Sequence, residues 1–263
     1  MTVSDASIAQ GAAPAPRPSR PADGRMARLL WAVLLALFAA FLLYVGIPRL
    51  IAAVLRVPGD AGLSALNDNE PTSVGVMDAV IDSRQAAGRW IESGRNSNAV
   101  GLAAMQLLSM MELLPVRQPG EEARYLAMGI DALQDGLAQQ PAQPYAWYQL
   151  ALALLKRGGD GDAARAERAW RMAVVTGPNE PALIVPRVAL GLVIWPQAVP
   201  RTRQIIADEV ERAALAQPRG LARLSLQLGV DDFMRATLAG KPNLLATYAE
   251  MARLPEAGAP LFP

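Results

Sequence analysis

Residues 29–47 constrain this chain more than any other stretch. Every residue in the run is apolar apart from Trp31, Tyr44 and Gly46. At the helical rise, 19 residues span roughly 29 Å, about the hydrocarbon thickness of a bilayer. A helix of a soluble core keeps a polar face and this run has none, so the pattern predicts a transmembrane helix. Trp31 and Tyr44 stand near its two ends, with Arg28 and Arg49 just outside, where rings and basic side chains meet the headgroups. The run is longer than the apolar core of a signal peptide, and no small-x-small cleavage site comes before Pro48 and Arg49, which predicts an uncleaved signal anchor. Arg17, Arg20, Arg25 and Arg28 precede the span while only Arg49 and Arg56 follow it closely. The positive-inside rule then sets residues 1–28 in the cytoplasm and the rest of the chain outside.

The flanks follow from the same run. Residues 1–28 are rich in Ala, Pro and Ser without apolar periodicity, which predicts a disordered tail. Residues 48–71 form a juxtamembrane segment and linker. Leu50, Ile51, Val54 and Leu55 keep a helical spacing that either extends the membrane helix past a kink at Pro48 or lies along the interface. A loop is expected from residue 58 to 71, where Gly59, Asp60, Gly62, Asn67, Asp68 and Asn69 gather.

Residues 72–254 show 3.6-residue periodicity broken by Pro and Gly, and no useful alternation of period two. Helices are expected at about 72–93, 98–114, 121–140, 144–157, 162–176, 180–195, 199–216, 219–229, 231–239 and 243–253. Pro186 lies too deep for a first turn at Glu180, implying a kink or a late start there. A loose tail closes the chain at residues 255–263. The fold class is therefore all-α: one N-terminal transmembrane helix, then an α-solenoid of stacked helical hairpins.

The best-formed unit is residues 144–178. Trp147, Leu150, Ala151 and Leu154 fall on one helical face, and Ala166, Trp170, Ala173 and Val174 on another, with large residues opposite small ones. These positions resemble the tetratricopeptide repeat, W-x2-L-G-x2-Y followed by A-x3-F and P. Trp147, Leu150 and Ala151 stand for Trp, Leu and Gly; Ala166 and Trp170 for A-x3-F; Ala173 for a small position; Pro178 for the closing Pro. Leu154 replaces the Tyr, and the turn at residues 157–162 is roughly three residues longer than a standard repeat. Leu133, Leu137 and Pro141 give a weaker echo before it.

Composition narrows the chemistry. The chain has no Cys and no His, the residues on which zinc, haem, iron-sulfur and thiol chemistry normally draw, so no metal or cofactor is expected. Net charge is +1, with Lys only at Lys156 and Lys241, and no nucleic-acid footprint. Asp160-Gly-Asp162 lacks the EF-hand spacing and reads as a turn with Asp162 as helix N-cap. Asp208, Glu209 and Glu211, interleaved with Arg201, Arg203 and Arg212, read as a solvated face. Asp231 and Asp232 suit a helix N-terminus; as neighbours about 100° apart they do not form an acid-base pair. Trp90, Trp147, Trp170 and Trp195 lie on apolar stripes and read as core.

The stretches Pro144-Tyr-Ala-Trp147, Thr176-Gly-Pro-Asn-Glu-Pro181 and Pro186-Arg with the helix that follows to Trp195-Pro196 carry a second resemblance. They look like single-pass bacterial inner-membrane proteins whose periplasmic tetratricopeptide-like region accompanies envelope polysaccharide synthesis and export. That resemblance implies a non-enzymatic scaffold or adaptor binding other envelope proteins, held in lipid through residues 29–47. Two other classes are expected to compete with it: an accessory factor for protein translocation or periplasmic chaperoning, and a small glycan-active enzyme working through carboxylates or Arg.

Overall fold

The computed structural model describes residues 23–67, 70–113 and 119–254, with side chains from residue 26 onward and none at Asn67. Most of the expected N-terminal tail and the whole of residues 255–263 lie outside the described residues. The described residues form eleven α-helices and a short 3-10 turn at Trp195–Gln197, with no strand. They divide into two compact units, Met1–Ile47 and Pro48–Pro263.

In the first unit, the described residues belong to the N-terminal part of α1 (Asp23–Asn67), which begins before the apolar run and takes in residues 23–28 of the expected tail. Its apolar side chains are exposed throughout, from Leu29 and Trp31 to Leu43 and Tyr44. Among the described residues one helix, spanning Met26–Leu66, is long and apolar enough to cross a membrane.

The second unit opens with the remainder of α1, and here the expected loop at residues 58–71 is corrected. The helix continues through Pro58 to Asn67. Packing accounts for it: a Cβ at Gly59 would lie 2.9 Å from Val80 Cα, and one at Gly62 would lie 2.7 Å from Val76 Cγ1. The absence of side chains at 59 and 62 lets α2 (Val74–Gly88) approach this turn closely. Arg84 Nη2 then donates to Asp60 Oδ1 at 2.5 Å across the same contact. Tertiary contact outweighs the poor helix propensity of Gly and Pro.

The break expected at residues 93–98 is also displaced, because α3 (Gly94–Glu112) already contains residues 94–98. It packs along α4 (Pro119–Gln139). A Cβ on Gly94 would meet Gly136 O, one on Gly101 would meet Leu133, one on Gly129 would meet Met105 and one on Gly136 would come 2.7 Å from Asn98 N. The partners run in opposite directions along the two helices, so the pair is antiparallel, with glycines at the closest approaches. Asn98 is buried in this contact and Asn96 is buried beside Arg84, which is why polar residues that look like a loop belong to a helix.

Further along, the helix starts are set by proline at the first helical position, where its missing N–H costs nothing. Pro144, Pro181, Pro200, Pro218 and Pro242 open α5 (Pro144–Arg157), α7 (Pro181–Ile194), α8 (Pro200–Ala216), α9 (Pro218–Leu228) and α11 (Pro242–Ala252). Gly158 and Gly229 end α5 and α9 in the left-handed conformation at φ 63° and 66°, which favours glycine. Between these lie α6 (Asp162–Thr176) and α10 (Asp231–Leu238). The helix at α7 starts at Pro181 and runs on through Pro186, so no late start occurs.

The interior consists of three apolar clusters that succeed one another along the chain. Met77, Val80 and Leu107 belong to the first, between α2, α3 and α4. Ile130, Leu154, Trp170 and Ile206 belong to the second, and Val188, Val210, Leu221 and Tyr248 to the third.

Candidate functional site

The residues singled out by the repeat pattern come together between α5 and α6. Leu150, Ala151, Leu154, Ala166, Trp170 and Ala173 are buried, and Trp170 is fully enclosed. Trp147 is half-buried against the same cluster and donates its Nε1–H to Pro141 O at 2.7 Å. Pro178 is exposed, and its carbonyl accepts from Arg187 Nη2 and Arg212 Nη1. Trp31, Tyr44, Arg28 and Arg49 are exposed on α1. Trp195 packs edge-on against Phe233 at 4.8 Å. Trp90 is 50% exposed, contrary to the expected core role: α2 ends at Gly88, which carries Trp90 off the buried stripe.

Two acidic readings change as well. Glu209 is not on a solvated face: it is buried on the side of α8 turned to α7 and pairs with Arg187 Nε at 2.8 Å and Arg212 Nε at 3.0 Å. Arg187 is itself fully buried and donates to the carbonyls of Ala173, Gly177 and Pro178. Its own carbonyl accepts the Trp170 Nε1–H at 2.9 Å. This network ties α6, the turn at residues 177–178, α7 and α8 together. Burial pushes the Glu209 carboxyl up against the pull of Arg187 and Arg212, and burial likewise lowers the Arg187 guanidinium. Arg187 is the one charge in Pro181–Ile194, and a lone charge in an apolar helix was the available signal that a buried partner exists.

Asp162 is the first residue of α6 and not its cap, because Gly161 takes that place at φ 74°. Its carboxylate turns back to accept Arg157 Nε at 2.7 Å, Arg157 Nη2 at 2.6 Å and Gly159 N at 3.0 Å. The Arg157 hydrogen bonds hold it down to about 2. At the other end of the domain, Tyr248 donates to Asp231 Oδ1 at 2.6 Å and shares a 2.6 Å hydrogen bond with Ser225 Oγ, while Arg235 Nε reaches Asp231 Oδ2 at 2.6 Å. Burial, reinforced by the Asp231 carboxylate, pushes the Tyr248 phenol up to about 12. These groups lock α9, α10 and α11 to one another. Among the described residues no three Asp or Glu side chains converge as metal ligands.

The open space lies elsewhere. A cleft of about 360 Å³ crosses α2, α3 and α4, with Gln85, Ser97, Val100, Met128, Asp131 and Asp135 on its walls. Arg84 and Asn96 separate it from a second cavity of about 460 Å³ that reaches Arg56 and Asp60 on α1. None of these cavity residues stood out from local pattern alone. One signal was present: Met77, Val80, Ile81 and Arg84 share a helical stripe, and an Arg on an apolar stripe demands a partner.

No family model matches this sequence, no curated protein is similar to it at a meaningful level, and no solved structure matches its fold.

Proposed function

We propose that this chain is a membrane-anchored scaffold, held in a bacterial inner membrane by the apolar part of α1, whose helical domain binds another envelope protein. The observation that carries the proposal is the pairing of one exposed, uncharged stretch of helix with a domain that keeps an open cleft across α2–α4. Three apolar clusters in chain order and the antiparallel α3–α4 pair support an α-solenoid, a fold that offers extended binding surfaces. The close packing of α5 on α6 through Ala151, Ala166 and Trp170 supports a tetratricopeptide-like unit within it. The buried charges of Arg187 and Glu209 and the half-buried Asp231 are engaged in holding neighbouring helices, a structural use rather than a chemical one.

Envelope polysaccharide synthesis or export is the setting that the sequence resemblance implies, and the domain is read as facing the periplasm. A photo-crosslinking amino acid at Gln85, which is exposed on the cleft wall, tests the binding role in intact cells. The expected result is a discrete adduct with one envelope protein that disappears when Met128 across the cleft is replaced by Arg. Irradiation that yields no adduct, or one indifferent to Met128→Arg, contradicts it.

A further inference from the structure

The 460 Å³ cavity between the end of α1 and the α2–α3 contact carries an excess of positive charge. Arg56, Arg84 and Arg95 line it, against the single carboxylate of Asp60. Arg84 is 5% exposed and spends one N–H on Asp60. Arg56 and Arg95 have no carboxylate partner among the described residues. The acidic groups of the neighbouring cleft, Glu92, Asp131 and Asp135, lie beyond Arg84 and Asn96, so the positive charge is confined to the α1 side.

Two buried donors point to what the cavity accepts. Asn96 is 4% exposed and its Nδ2 has no protein acceptor, and the Arg56 Nε is buried and equally without one. A buried donor left unmatched costs about 1–3 kcal/mol, so such groups call for an explanation. Arg95 and Asn96 also belong to the first turn of the 19-residue α3, whose N-terminal end carries partial positive charge. Guanidinium forks, an amide N–H and a helix N-terminus are together the donor set that phosphate oxygens satisfy.

We propose that this cavity binds a phosphate group, with Arg56, Arg95 and Asn96 donating to its oxygens and Arg84 held by Asp60 as the fixed wall. The phosphomonoester headgroup of an anionic lipid is one source. Arg56 follows Ile47, the end of the apolar run, by 9 residues, a reach of no more than roughly 30 Å. A free phosphate or soluble phosphomonoester is the other source.

The test uses the full chain in neutral detergent micelles and reads the thermal unfolding midpoint, which rises with any ligand that favours the folded state. One arm titrates inorganic phosphate; a second adds phosphatidic acid to the micelles, with phosphatidylcholine as the lipid control. A saturable rise in the phosphatidic acid arm alone assigns the site to a headgroup, and a rise with inorganic phosphate assigns it to soluble phosphate. In either case Arg95→Gln, at an exposed position, weakens apparent affinity about tenfold, the value of one charge-assisted hydrogen bond. Arg56→Gln/Arg95→Gln abolishes the rise, while Arg201→Gln on α8 leaves it intact. If the double variant melts early without ligand, Arg95→Gln alone decides. The proposal is overturned if neither arm saturates, if phosphatidylcholine does as well as phosphatidic acid with no response to inorganic phosphate, or if Arg95→Gln binds like the parent chain.

Discussion

Glu209→Ala should destabilise the helical domain by about 3–5 kcal/mol, the cost of leaving one member of a buried ion pair without its partner. Arg187 would keep the carbonyls of Ala173, Gly177 and Pro178 but lose the carboxylate that neutralises it at 0% exposure. Arg187→Met should cost a comparable amount, because the buried Ala173 and half-buried Gly177 carbonyls lose the Arg187 donor, the exposed Pro178 carbonyl keeps only Arg212, and Glu209 likewise retains only Arg212. The double variant Arg187→Met/Glu209→Met should cost clearly less than the sum of the two, since removing both charges leaves neither stranded. Guanidinium unfolding of the full chain in detergent, followed by tryptophan fluorescence, checks all three. Trp170 donates to the Arg187 carbonyl and reports from inside the network. A Glu209→Ala midpoint close to that of the parent chain would mean that the pair does not hold α7 to α8.

The second large effect concerns the apolar part of α1. Leu37 and Phe38 lie at the middle of residues 29–47 and are 63% and 59% exposed. Two arginines at a helix centre disfavour membrane insertion by about 6 kcal/mol in sum. Leu37→Arg/Phe38→Arg should therefore move the chain from the membrane pellet to the supernatant after an alkaline carbonate wash, whereas Leu37→Ala/Phe38→Ala should remain in the pellet. Both side chains are exposed, so loss from the pellet is not ascribed to a collapsed core. Retention of the double-arginine variant would show that this stretch does not span.

Much of the helical framework was legible in the sequence because its punctuation is local. The observed limits of α5 and α6 are those read from Pro144, Gly158, Asp162 and Gly177, residues whose backbone preferences act within one turn. Misreadings arose where long-range contact decides. Gly59 and Gly62 look like a loop until α2 is placed against them, and Asn96 and Asn98 look like a break until Gly136 leaves room for Asn98. Glu209 reads as a surface charge because its partner, Arg187, is 22 residues away in sequence on another helix. The cavity was invisible for the same reason, since Arg56, Arg84 and Arg95 come from three helices and share no motif. Spacing within one element identifies a face. What that face meets follows only from packing.

In the proposed topology, one membrane-spanning stretch holds the helical domain on the outer side of a bacterial inner membrane. Because the chain has no cysteine of its own, single-cysteine variants give an unambiguous reading with a membrane-impermeant maleimide. Ser7→Cys marks the N-terminal stretch and Asp160→Cys marks the exposed turn between α5 and α6. In intact spheroplasts this topology predicts labelling of Asp160→Cys, and labelling of Ser7→Cys only after the membrane is permeabilised. Labelling of Ser7→Cys with protection of Asp160→Cys, or equal labelling of both before permeabilisation, would contradict it.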